Sequence, residues 1–183
     1  MQPLFTIHAG EYLVGSHIES KYKKWNVWVP SKDSGIDLLV TDKSNKKTAS
    51  IQVKFSKDFL ITHGRPQYQR VLKSCGWWSL NPKKMEESTA DFWIFVLHTF
   101  NEKNQHYVIV PKAGLLTFYG GIHDLKANRV QSYIWVTKDD HCWETRNLSQ
   151  RDQDLIAQGE YVNPDRDLTA YLNNWQPIER QLS

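Results

Sequence analysis

Three polar residues stand inside short apolar runs of this 183-residue chain: Asp37 in GIDLLV, and Gln52 and Lys54 in SIQVKF. Side chains of an extended strand alternate between faces, so Gln52 and Lys54 share one face while Ile51, Val53 and Phe55 take the other. By the same alternation Asp37 points away from Ile36 and Leu38. A carboxylate, an amide oxygen and an ammonium among apolar neighbours are costly to bury unless paired, hydrogen-bonded or bound to metal. Together they can seat a divalent cation against an anionic group. Each residue has a commonplace structural alternative: Lys54 facing water on an edge strand, Asp37 in a turn or cap, Gln52 facing solvent. It is their joint register that points to a site. Glu11 adds a fourth group, three residues before Val14 and seven before Ile18 on the extension of an apolar helical stripe. A lone first-turn Glu complements the helix dipole. Here the rotation that packs the helix also turns this carboxylate towards Asp37 and Lys54.

The elements that must position these groups follow from periodicity. Across His8 to Trp25, the residues Val14, Ile18, Tyr22 and Trp25 recur at helical steps and predict an amino-terminal helix. Three strands follow, at 26–29 (stopped by Pro30), 35–41 and 48–55, the last two joined into a hairpin by DKSNKK. Gly64, Pro66 and Pro82 argue against a long element in 56–84, which reads as loops with at most one short helix. ADFWIFVLHTF and HYVIVP predict a buried antiparallel pair at 91–100 and 106–110, and SYIWVT a further strand. Leu168, Tyr171, Leu172 and Trp175 have helical spacing and predict a closing helix. The pattern predicts an α/β fold with a central mixed β-sheet flanked by helices, an amino-terminal helix leading into a β-meander. With no repeat or linker, one domain is expected over 1–183, with a core at about 8–111 and a carboxy-terminal extension at about 112–183.

GEYLVGS in the first helix, GIDLLV beyond its end and SIQVKFS on the next strand resemble the PD-(D/E)XK nuclease superfamily, the group of restriction enzymes, Holliday junction resolvases and some group I intron homing endonucleases. The likeness covers the first third of the chain closely and the ADFWIFVL and YVIVP strands loosely. It implies a restriction endonuclease-like fold and a metal-dependent endonuclease hydrolysing DNA phosphodiester bonds, with Mg²⁺ or Mn²⁺ as cofactor. Asp37 then matches the family's metal-binding aspartate, Lys54 its catalytic lysine and Glu11 the helical glutamate of several branches. Gln52 stands where Asp or Glu is commonest, as it does in some branches that include homing endonucleases, and Ile36 stands in place of a proline. Mg²⁺ takes hard oxygen ligands, which the Asp37 carboxylate, the Gln52 amide oxygen, the Val53 carbonyl and a phosphate oxygen would supply. The ion would polarise the phosphate and lower the pKa of a bound water. Lys54 would orient or deprotonate that water, or neutralise charge on the transition state, and Glu11 would hold waters of the ion's outer shell. One acidic ligand fewer predicts weaker metal binding than in an acidic version of this site.

Charge is uneven along the chain: His17 to Lys84 holds 14 Lys and Arg against 5 Asp and Glu, whereas Met85 to Ser183 holds 9 against 14. The basic part suits a polyanionic partner, although scattered surplus charge also keeps proteins soluble. Within it Lys57, Arg65, Arg70, Lys73, Lys83 and Lys84, interleaved with Tyr68, Trp77 and Trp78, are candidate contacts to double-stranded or branched DNA; the two tryptophans suit core packing as well. Cutting two strands with one site per chain favours a homodimer or a higher homo-oligomer. Neither Cys75 and Cys142 nor the seven histidines show metal-ligand spacing. No apolar run is long enough to cross a bilayer and the start lacks a signal-peptide pattern, so a cytoplasmic protein without a membrane partner is expected. Two further classes fit the sequence. One is a DNA-binding module that keeps the fold and has lost turnover, motivated by Gln52. The other is a protein-interaction domain built on the aromatic, acidic carboxy-terminal half.

Overall fold

The computed structural model describes residues 8–31, 35–57, 59, 65–99 and 105–183. Helix α1 (Ala9–Lys21) opens with a capping box, in which the Glu11 carboxylate accepts the His8 backbone N–H at 3.1 Å. Its buried side, Val14 and Ile18, packs on a sheet. Strands β1 (Trp25–Trp28), β2 (Leu38–Asp42) and β3 (Thr48–Ser56) form an antiparallel meander. The β2–β3 turn is built by the Asp42 carboxylate, which accepts the N–H groups of Ser44, Lys46 and Lys47 at 3.1, 2.7 and 2.7 Å, while Asn45 takes a positive φ of 56°.

Beyond β3 the chain runs through α2 (Pro66–Val71), β4 (Leu72–Leu80) and α3 (Pro82–Glu87) before β5 (Phe92–His98) pairs with β3 in parallel. A parallel partner demands such a crossover, because a tight turn can only reverse the strand. Strand β6 (Gln105–Pro111) lies antiparallel to β5, giving a mixed sheet of order β1-β2-β3-β5-β6. The chain continues through α4 (Lys112–Ile122), β7 (Val130–Thr137), β8 (Cys142–Glu144), α5 (Gln150–Gln158), 3-10 turns at Pro164–Arg166 and Thr169–Tyr171, and α6 (Gln176–Leu182). β4, β7 and β8 make a second, antiparallel sheet.

The first sheet is covered differently on its two faces. Leu38, Val40, Ile51, Ile94 and Ile109 meet α1 and the carboxy-terminal Trp175, Ile178 and Leu182. Trp93, Phe95, Val108 and Val110 face the other way, onto Leu115 and Tyr119 of α4 and onto Trp78, Ile134 and Val136 of the second sheet. Both faces of β5 are thus buried, as its unbroken apolar run predicts. The outer side of the second sheet is closed by Tyr68 of α2 and Ile156 of α5. No helix among the described residues is long and apolar enough to cross a membrane.

Two expected elements differ. The segment 56–84 contains the nine-residue strand β4 and two short helices instead of loops with one helix. The helical spacing of Leu168, Tyr171, Leu172 and Trp175 does not produce a helix over these residues: within them only the 3-10 turn Thr169–Tyr171 forms, and α6 starts after it. Leu172 instead bridges to Val108, and Asn173 exchanges two hydrogen bonds with Tyr107, donating its N–H at 2.6 Å and accepting through its side-chain oxygen at 2.9 Å. Capture by the open edge of β6 overrides local helical preference.

Candidate active site

The meander brings Asp37 and Gln52 together. Leu38 is paired with Ile51, and Asp37, one residue earlier, donates its N–H to the Ile51 carbonyl at 2.9 Å. Asp37 stands just before the start of β2, and its carboxylate takes over the task of the missing backbone: its Oδ2 accepts the Val53 N–H at 2.6 Å. The same oxygen accepts a hydrogen bond from the Gln52 side-chain amide. In a strand the N–H and C=O of one residue point the same way, so the Val53 carbonyl is turned to the side on which Asp37 lies. Val53 itself is buried while Asp37, Gln52 and Lys54 are half-buried.

Lys54 follows Gln52 on the same face, and its Nζ lies 5.1 Å from the ring centroid of Trp93, the residue paired with Gln52 across the parallel ladder. A cation over an indole face gains an electrostatic attraction to the ring, which helps to position the ammonium. Glu11 arrives from the opposite face of the sheet, at the end of α1 that reaches the carboxyl half of β3. The close approach depends on Gly10, where a Cβ would fall 2.7 Å from the Phe55 Cβ and 3.1 Å from Val53 Cγ1.

Glu11, Asp37, Gln52, Val53 and Lys54 all line one cleft of about 770 Å³. Its far wall comes from the end of β4 and from α3, with Ser79, Asn81, Lys84 and Glu87, and from Arg129 just before β7. Trp93 and Arg129 escape a sequence reading. The first needs the β3–β5 register, and the second lies outside the basic stretch and is brought in by the second sheet.

The residues expected to contact nucleic acid scatter. Among the described residues only Lys84 of that set lines the cleft. Lys57 is exposed at the end of β3, 5.1 Å from the ring centroid of Phe59. Arg65 and Arg70 are exposed at the two ends of α2. Lys73 is ion-paired with Asp140, and Lys83 stands 3.8 Å from Glu87 on α3. Trp77 keeps 37 % of its surface exposed. Trp78 needs correction: it is 5 % exposed and meets Phe95 edge-on in the core, so it offers no face to a ligand.

An ion can be tested against these donors. A carboxylate, a side-chain amide and a backbone carbonyl are hard oxygen groups of the type Mg²⁺ takes. They fit on one condition: the Gln52 amide now donates N–H to Asp37, and it must turn to present its oxygen. Among the described residues no three His, Cys, Asp or Glu side chains gather as a metal-holding group. An ion here would therefore depend on amide and carbonyl oxygens beside a carboxylate. Compared with known proteins, the chain matches no family model, no curated protein and no solved structure.

Proposed function

We propose that the chain is a metal-dependent endonuclease that hydrolyses DNA phosphodiester bonds in the cleft between β3 and α3. The observation that carries this reading is the convergence of Glu11, Asp37, Gln52 and Lys54 on one cleft. Support comes also from topology: a helix, a three-stranded antiparallel meander, a crossover and a parallel fourth strand suit a restriction endonuclease-like fold.

Asp37, the turned amide of Gln52 and the Val53 carbonyl would hold Mg²⁺ or Mn²⁺, which when bound polarises a phosphate and makes water more acidic. The remaining work falls to the chain. The Val53 N–H fixes the carboxylate of Asp37 against β3. Lys54, carried on Trp93, supplies a positive charge where negative charge grows during phosphoryl transfer. Lys84 and Arg129 on the opposite wall attract the phosphate backbone. One cleft per chain makes cleavage of both strands a task for two copies.

Purified protein incubated with plasmid and with branched DNA, in Mg²⁺ or Mn²⁺, tests the reading. Cleavage of at least the branched DNA is expected in the wild type and its loss in both Asp37→Ala and Lys54→Ala; cleavage that survives in either defeats the assignment. A second reading, a DNA-binding module without turnover, is favoured by the hydrogen bond from Gln52 to Asp37, which satisfies the carboxylate with no ion present. Binding without cleavage at any metal concentration selects it.

A further inference from the structure

We propose that Trp28 is a stacking platform for an unpaired nucleobase, set beside Asp37 on one face of the sheet, so that the substrate is a single-stranded or branched nucleic acid and not a continuous duplex. This rests on the nuclease reading only for what happens to the strand after it is bound.

The register places the indole. Trp28 pairs with Leu39 and Asn26 with Thr41 across β1 and β2, while Leu38 and Val40 of β2 point into the core beneath α1. Trp28 therefore shares the face of Leu39, Thr41 and Asp37, the face that continues into Gln52 and Lys54. From Leu39 to Asp37 is two residues, about 7 Å along the strand, and β1 lies about 4.8 Å from β2. The platform is one or two nucleotides from the carboxylate.

The ring is both exposed and held. Trp28 keeps 51 % of its surface open, a large value for an indole. Its Nε1–H donates to Thr41 Oγ1 at 3.1 Å, Thr41 donates to Asn45 Oδ1 at 2.7 Å, and the Asn26 amide donates to the same oxygen at 2.9 Å. A surface tryptophan that only covered apolar neighbours would need no such relay. Pinning the polar edge leaves the π-surface as the part on offer, and every base has a face that can lie on it.

Charge complements the ring. The turn that carries Asn45 also carries Lys43, Lys46 and Lys47, all exposed, and Lys23 and Lys24 precede β1 on the neighbouring strand. The only acid of that turn, Asp42, is occupied by the turn's own N–H groups and the Ser44 hydroxyl. A strand whose phosphates follow these lysines passes the indole and reaches the cleft after about 13 Å, four residues of β2. In a continuous duplex the base faces are already stacked, so an indole cannot use them without unpairing.

The test measures binding of a labelled oligothymidylate and of a blunt duplex of equal length, in EDTA, to wild type, Trp28→Ala and Trp28→Tyr. Trp28 is half exposed, and a thermal melt of each variant confirms that it is folded. Trp28→Ala is expected to weaken single-strand binding about tenfold, Trp28→Tyr to restore most of it, and duplex binding to change less than about twofold. No loss in Trp28→Ala, or equal loss for single strand and duplex, overturns the proposal. So does a surface on which Lys43→Glu with Lys46→Glu weakens oligothymidylate and heparin alike while Trp28→Ala does nothing, since that describes a simple polyanion patch. The two readings fail separately: Trp28-dependent single-strand binding without metal-dependent cleavage supports the platform and removes the nuclease, and cleavage by a chain indifferent to Trp28 does the reverse.

Discussion

Glu144 and Asp37 are acids placed among apolar strands, and the molecule treats them in opposite ways. Glu144 is 0 % exposed; Arg166 donates to its Oε2 at 2.7 Å, and the N–H groups of Tyr133 and Arg146 donate to its Oε1 at 3.2 and 3.3 Å. His123 Nε2 stands 3.4 Å from the same Oε1. Asp37 is held by the Gln52 amide and the Val53 N–H, both neutral, and opens onto the cleft. A carboxylate matched by a guanidinium has its charge cancelled, and here it ties β8 to the 3-10 turn at Pro164–Arg166. One matched by neutral donors is fixed in place but keeps its charge for an incoming cation. The two acids differ in their partners as well as in how deeply they lie.

This contrast can be broken at its strongest point first. Glu144→Ala leaves the partly buried Arg166 without its counter-charge, and a loss of about 3 kcal/mol in unfolding free energy is expected by denaturant titration; a loss under about 1 kcal/mol would make the pair a surface-type bridge. Asp37→Asn should do the reverse. Stability changes by less than about 1 kcal/mol, while cleavage falls at least about 100-fold, ~2.7 kcal/mol in the barrier. Comparable losses in both readouts would remove the distinction.

Gln52→Glu sharpens it. Two carboxylates then face each other where an amide had donated, so the metal-free protein should lose about 1–2 kcal/mol. Mn²⁺ should restore that loss, with half-saturation for cleavage at lower metal than in the wild type. Equal half-saturation in the two proteins defeats this expectation. The smallest effect concerns a third acid, Asp42. Hydrogen bonds from the Ser44 hydroxyl and the turn N–H groups bring its pKa down from 3.8 to about 2. A lowered carboxylate pKa gives stability that is fully present above about 4 and lost as pH falls through the folded value. The melting temperature difference between wild type and Asp42→Asn should stay flat down to that point and close below it.

Much of this geometry is legible in the sequence, because the hairpin carries its own alternation. Ile51 and Val53 against Gln52 and Lys54 fix which side meets α1, and DKSNKK fixes the reversal. Strand β4 is hidden for a physical reason. LKSCGWWSL holds a glycine in mid-strand, ordinarily a weakening residue, yet a Cβ at Gly76 would collide with the ring of Trp78. The glycine makes room for an indole folded back over its own strand, a need visible only in three dimensions. Arg129 and Trp28 are obscured likewise: nothing local reveals that one ends up across the cleft and the other on the face of Asp37. The chain does close with a helix, α6, but not at 168–175, because Leu172 and Asn173 find a strand edge sixty residues away more rewarding than another turn of helix.

The hydrogen atom at position 10 sets a length. Because a Cβ there would collide with Phe55 and crowd Val53, the first helix lies closer to the third strand than a side chain at that position would allow. Adding a single methyl at that residue would act as a shim, sliding the helix that carries Glu11 outward while every side chain lining the cleft keeps its identity. Distance and chemistry in this cleft can therefore be varied one at a time.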